Sequence, residues 1–285
     1  MMRSVWHVMR VELVLLWRGR GLSIAALAVA LVGLWEASRI REMPWSAWGT
    51  LPEAAGFLSL VLVVTSGNQI SRDRTTRLAG VVLSTPVSTA SYVCGKYLAA
   101  LLVLVGLATA NLVAAVLMDR FDPWRDPPAI LGHLDFPPLG PSPYVGAMIL
   151  LMIVPIVFGA ALALTVTTAA RGARAIASIT ALVLWLIPAV VNNWPPLLEV
   201  TGGRFYTSAD DGSPFKLAMT TYSFGANGIS WSPAAAARVI GAVQTHLPPS
   251  LPPVFAWNRA LFVGLGIALL AATVGVVMRQ RQGRM

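Results

Sequence analysis

The charged side chains that could do chemistry concentrate in one polar segment between two long apolar runs. Over residues 70–96 the charged side chains are Arg72, Asp73, Arg74, Arg77 and Lys96. Four cations and a single acid favour contact with another macromolecule rather than proton transfer. We interpret this segment as a surface that a soluble partner binds.

Spacing within the segment predicts a short amphipathic helix. Ser71 can act as its N-cap, and Pro86 forces Thr85 out of helical geometry. The residues between them that form or flank one apolar side are Leu78, Val81, Val82, Arg74 and Arg77. Such a helix could insert into a groove on another protein. The alternative is a basic loop that only fixes membrane topology.

The elements around this segment are those of a membrane protein. Of the 285 residues, 56% are apolar and 12% are charged, and the mean hydropathy is +0.70. We predict an all-α polytopic integral membrane protein, with residues 1–285 as one domain. Its six transmembrane helices are predicted at about 21–37, 54–70, 92–118, 144–170, 175–191 and 259–278. The net charge of +9 does not indicate nucleic-acid binding, because the basic residues do not cluster on a soluble domain.

Charge sets the orientation of these spans. With both termini in the cytoplasm, the inner segments hold 13 of the 21 Lys and Arg residues but only two acids, Glu12 and Asp73. The inner side then carries +11 and the outer side −2, as the positive-inside rule requires. Two larger extracytoplasmic loops, 119–143 and 194–258, contain 15 of the 20 prolines.

Residues 1–20 predict an amphipathic helix lying in the membrane interface. A secretory signal peptide is the competing interpretation. It is disfavoured because the basic start is long and no small-residue cleavage site follows the apolar run.

Motifs of enzymes and ion-driven carriers are missing from the sequence. Gly95-Lys96 is no P-loop, since Tyr97 follows it. Neither a His-Glu-x-x-His nor a Gly-x-Ser-x-Gly motif occurs, and the three histidines lie far apart. No ionisable residue falls near the centre of a predicted span, which argues against an ion-coupled carrier. We predict no catalytic residue, no metal site and no cofactor in this chain, so any transport must use a partner's energy.

Residues 72–100 resemble the loop between the second and third spans of bacterial ABC transporter permeases. The family is the six-helix exporter class whose ATPase is a separate chain. The most specific matches are Leu83-Ser84-Thr85-Pro86-Val87 and Gly95-Lys96. The amphipathic start, the six spans and Trp257-Asn258-Arg259 at the last span are also similar to that family.

The resemblance implies a permease subunit of the bacterial cytoplasmic (inner) membrane, which is itself no enzyme. An ABC ATP-binding subunit would bind ATP and Mg and hydrolyse the nucleotide. The other implied partners are a second permease copy or homologue and membrane lipids, with an extracytoplasmic protein as a further candidate. A pathway without fixed charge favours export of a lipid-like, amphipathic or peptide substrate. The alternative is a non-transporting membrane scaffold or assembly factor that binds an extracytoplasmic partner.

The resemblance also implies which residues matter. A cytoplasmic loop, 71–91, would present a coupling helix at 72–85 to a cleft of the ATPase. The implied coupling residues are Arg72, Asp73, Arg74, Arg77, Leu78, Val81, Val82, Leu83, Ser84, Thr85 and Pro86. The second and fifth spans would face the dimer axis, which makes Thr65, Ser66, Ser178 and Thr180 pathway candidates. Hydrogen bonding between helices is an equally good interpretation of these four hydroxyls.

Overall fold

The structure, a computed structural model, is mostly helical over the residues that it describes. It describes residues 2–18, 26–29, 31, 69–70, 72–73, 87–121, 149, 153–170, 179–181, 183–184 and 253–282. Four helices make up most of these residues: α1 (Met2–Arg18), α2 (Thr89–Phe121), α3 (Ile153–Ala169) and α4 (Pro253–Arg281). No strand occurs among them, so the all-α class is confirmed for this part of the chain.

Two of the helices are long and apolar enough to cross a bilayer. The stretches that meet this length and composition are Thr89–Val113 in α2 and Phe255–Arg281 in α4, where the third and sixth spans were predicted. Helix α4 is not enclosed by the rest of the described structure, because Ile267 is 64% exposed and Leu265 is 43% exposed. The first, second and fifth predicted spans lie outside the described residues except for short pieces.

Both long helices begin earlier than predicted, and local chemistry explains why. The Ser88 hydroxyl accepts a hydrogen bond from the Ser91 N–H (3.2 Å), so Ser88 is the N-cap of α2 and the helix starts ahead of Tyr92. Helix α4 starts at Pro253 rather than Arg259, since proline has no N–H to leave unsatisfied in a first turn. Residues 253–258 are therefore helix, although the sequence placed them in the second extracytoplasmic loop.

Helix α1 forms where the amphipathic helix was predicted, and it packs on the beginning of α2. A Cβ atom on Gly95 would lie 2.7 Å from the Val8 Cβ and 3.0 Å from the Val5 carbonyl oxygen, so only glycine permits this approach. The inward face buries Met9 and Glu12, whereas the indoles of Trp6 and Trp17 point away from the protein. Its protein-facing side therefore includes a carboxylate.

Helices α3 and α4 pack side by side in the same direction. The rings of Phe158 and Phe262 meet edge to face, with 5.1 Å between centroids. Further along both helices, the Thr165 and Thr273 hydroxyls are 2.9 Å apart. The Tyr97 hydroxyl joins α2 to this pair by donating to the Val157 carbonyl (3.0 Å).

Candidate functional site: a buried ion cluster at the start of α2

Three segments that are distant in sequence bring charged side chains together beside the first turns of α2. On α2, Tyr92 and Lys96 are four residues apart and so share one helix face. The close approach at Gly95 places α1 against that face. The cluster, called the Lys96 cluster below, consists of Glu12 from α1, Gln69, Arg72 and Asp73 from the chain ahead of α2, and Tyr92 and Lys96 from α2.

Lys96 is the centre of the cluster, and its side chain is almost entirely removed from solvent. Its Nζ lies 2.7 Å from Glu12 Oε2, 2.9 Å from Asp73 Oδ2 and 3.2 Å from the Gln69 carbonyl oxygen. An ammonium group has three N–H donors, so each can meet one of these acceptors. The Nζ also lies 5.3 Å from the centroid of the Tyr92 ring, within cation–π range.

The two carboxylates each contact more than one side chain of the cluster. Glu12 Oε1 accepts a hydrogen bond from Arg72 Nη2 (2.6 Å) while Oε2 accepts from Lys96. Asp73 Oδ2 accepts a further bond from the Tyr92 hydroxyl (2.7 Å). Two cations and two carboxylates give the cluster no net charge, which lets four ionic groups sit in a site of low solvent exposure.

The cluster fixes the relative positions of its side chains more than it raises the free energy of unfolding. Ion pairs of this kind gain little over an apolar replacement, but removing one partner leaves a buried charge uncompensated at a cost of about 3–5 kcal/mol. The Arg72 side chain is 31% exposed, so its pairing with Glu12 is screened by water and contributes less than the Lys96 contacts. The expected consequence is that Glu12, Asp73 and Lys96 have one strongly preferred relative position.

A second contact is made at the other end of the same chain segment. Arg281, the last residue of α4, donates from Nη1 to the Val87 carbonyl oxygen at 2.9 Å. Val87 directly follows Pro86 and precedes the cap of α2. Both ends are therefore bonded to helices: Arg72 to α1, Asp73 to α2 and Val87 to α4.

Two of the predicted coupling residues, Arg72 and Asp73, are described, and both belong to the Lys96 cluster. The Asp73 carboxylate points inward, is 5% exposed as a residue, and bonds Tyr92 and Lys96. The predicted coupling residues that lie outside the described ranges are Arg74, Arg77, Leu78, Val81, Val82, Leu83, Ser84, Thr85 and Pro86. Contact of all these residues with an ATPase stays a prediction.

Among the pathway candidates, Thr180 is described, and it is exposed on a short helical piece. Thr65, Ser66 and Ser178 lie outside the described residues. Elsewhere in the predicted spans, the Thr165 hydroxyl bonds across to α4, as interhelical packing does.

Sequence reasoning missed Glu12, Gln69 and Tyr92 as site residues, and it used Lys96 as one cation of the polar segment and as part of a motif, without a partner inside the protein. The sequence does contain a signal for Glu12 and for Lys96. Glu12 and Asp73 are the two acids of the predicted inner segments, and an acid within an apolar helix needs a cationic partner. In the same way, the Lys96 side chain at the start of an apolar span needs an acidic partner.

The cluster offers little reactive chemistry, since its ionic groups bond one another and exclude solvent. Among the described residues, no group of three His, Cys, Asp or Glu side chains could hold a metal ion. No protein-family model matches the chain, and no curated protein matches it significantly. The geometry of the Lys96 cluster is that of a structural contact, which links α1, residues 69–73 and α2.

Proposed function

We propose that this protein is the permease subunit of an ATP-driven exporter and that a separate ATPase chain acts on residues 72–85. The observation that supports this most directly is the Lys96 cluster. It attaches the start of the segment that resembles a coupling helix to two helices through buried charges. The subunit would move a lipid-like, amphipathic or peptide substrate outward across the inner membrane.

Mechanical coupling needs a stiff connection at the point where the partner acts. Residues 72 and 73 are fixed to α1 through Glu12 and to α2 through Lys96 and Tyr92. Because a buried ionic group that loses its partners is costly, a displacement of this segment would carry α1 and α2 with it. A loop that only fixed topology would need no such attachment.

Membrane embedding is supported by the surface of α4 and by helix direction. The exposed aliphatic side chains of α4 suit lipid better than water. The parallel run of α3 and α4 is what a six-span order requires of its fourth and sixth spans. The beginning of α2 and the end of α4 meet at Val87 and Arg281, as expected for a third span that leaves the cytoplasmic side and a sixth that returns to it.

The test is co-purification with an ATPase encoded by an adjacent reading frame. We expect the wild-type chain to retain the ATPase and Leu78→Arg to weaken binding by about 30-fold or more, the effect of losing an interface hot spot worth about 2 kcal/mol. Val11→Arg is the matched control, because it makes the same kind of change at an exposed position of α1. It should bind like the wild type.

Retention of the ATPase by Leu78→Arg would contradict the coupling assignment. Absence of any ATPase from the wild-type preparation, together with recovery of an extracytoplasmic protein, would instead favour the scaffold alternative. Orientation is tested separately by cysteine accessibility. A cysteine introduced at Gln282 should react with a membrane-impermeant maleimide only from the cytoplasmic side.

A further inference from the structure

The contact between Arg281 and Val87 links the end of α4 to the residue ahead of the α2 cap. Neither helix requires this contact as a cap. The Val87 carbonyl lies ahead of the first turn of α2, and Ser88 already caps that turn. Arg281 lies near the positive end of the α2 dipole, which gives a cation no attraction. The hydrogen bond, at 2.9 Å, is thus a specific contact rather than a by-product of helix capping.

The guanidinium group of Arg281 is positioned by its hydrogen bond to the Val87 carbonyl. Its Nε and Nη2 atoms are buried and make no hydrogen bond to a described residue, and the bond from Nη1 to Val87 positions the group. The preceding arginine, Arg279, is exposed at the same helix end. The chain therefore provides two arginines in one turn of α4, of which only Arg281 is bonded to Val87 among the described residues.

We propose that Arg281 is a positioning residue that, together with the Lys96 cluster, holds both ends of the segment 73–87. This inference rests on the proposed coupling role of that segment. At one end Asp73 is bonded to α2 and the adjacent Arg72 is bonded to α1, and at the other end Val87 is bonded to α4. A displacement imposed on the segment is then shared by both helix pairs instead of moving α1 and α2 alone.

Packing explains how the effect spreads beyond α4. Helix α4 is joined to α3 by the Phe158–Phe262 pair and by the Thr165–Thr273 contact. A shift of the α4 end at Arg281 therefore moves α3 as well. Without the Val87 contact, α4 loses the hydrogen bond that Arg281 makes to the end of the segment.

The first measurement asks whether Arg281 holds the two helix ends together. Spin labels are placed at Leu98 and Gln282, both exposed, in the full-length chain with Cys94→Ser. In lipid nanodiscs without any ATPase, the wild-type distance distribution should be narrow. Arg281→Ala should lengthen or broaden it, whereas the matched control Arg279→Ala should leave it unchanged.

The second measurement asks whether the contact transmits motion, which a merely structural role would not affect. An environment-sensitive fluorophore at Ile267 reports on α4 far from Arg281 in the complex with the ATPase. ATP should change its emission in the wild type and in Arg279→Ala but not in Arg281→Ala. Arg281→Lys, which keeps a donor, should restore the response in part.

The outcomes separate the two proposals. An unchanged label distance in Arg281→Ala overturns the positioning role, and so does an intact ATP response at Ile267 in that variant. Failure to obtain any ATPase complex with the wild type counts against the proposed function instead. The nucleotide-free distance measurement remains decisive in that case, because it uses the permease chain alone.

Discussion

The two helix pairs of this protein are joined by opposite kinds of chemistry. Helix α1 meets α2 through a glycine contact and the buried charges of the Lys96 cluster. Helix α3 meets α4 through an aromatic pair and a hydroxyl pair. The ionic junction lies at one end of α2, next to the segment predicted to bind a partner, whereas the neutral interface runs along two apolar helices.

The difference teaches which junction is sensitive to single changes. In the Lys96 cluster each ionic group contacts another of opposite charge, so removing one leaves its buried partners with fewer compensating contacts. Contacts between α3 and α4 are small, separate and close to additive. A charged junction therefore transmits movement through one fixed geometry, and an apolar one tolerates small adjustments.

The largest effect is expected for Lys96→Met. The substitution removes the cation that both buried carboxylates contact, and it should destabilise the protein by about 3–5 kcal/mol. Thermal unfolding in detergent, followed by tryptophan fluorescence, measures the loss. In a Glu12→Gln, Asp73→Asn background the same change should cost much less. Equal losses in the two backgrounds would show that the ionic contacts do not hold the junction together.

A smaller effect is expected for Gly95→Ala. The added Cβ would lie 2.7 Å from Val8, so α1 must shift, at a cost of about 1–3 kcal/mol. Gly106→Ala is the control on the same helix, because a Cβ there meets no atom within 4 Å. That variant should be neutral or gain up to about 1 kcal/mol from helix propensity. Similar unfolding temperatures for the two variants would refute the close packing of α1 on α2.

The smallest effect is expected across the neutral interface. Thr165→Val removes the hydroxyl that bonds Thr273 and the Leu269 carbonyl, a loss of about 0.6 kcal/mol. Thr109→Val is the control, since that hydroxyl bonds only the carbonyl of Val105 in its own helix. A loss for Thr165→Val as large as that for Lys96→Met would remove the contrast between the two junctions.

Sequence reasoning predicted the helices better than the contacts between them. The apolar length of α2 and α4 and the amphipathic start of the chain are local properties, which composition and spacing reveal. The helix starts were misplaced because Ser88 was not considered as a cap and prolines were taken as loop residues. The six-span order stays a prediction, since much of the first, second and fifth spans lies outside the described residues.

The Lys96 cluster could not be predicted in the same way. Glu12 and Lys96 are 84 positions apart, and Glu12 and Arg72 are 60 apart. Their meeting depends on how α1 packs on α2, which no local pattern contains. Sequence reasoning treated these residues as charges that orient the chain, and Asp73 as a surface contact. The sequence indicates that each of these charges needs a partner if it is buried. It does not indicate which residue that partner is.

The single cysteine of the chain, Cys94, immediately precedes Gly95 and is half-buried. Cys94 therefore lies one residue from the place where α1 packs on α2, and no cysteine has to be introduced to observe that place. Reaction with a small thiol reagent should be slow while α1 is docked and faster when it lifts. The unaltered protein thus carries its own kinetic probe of undocking.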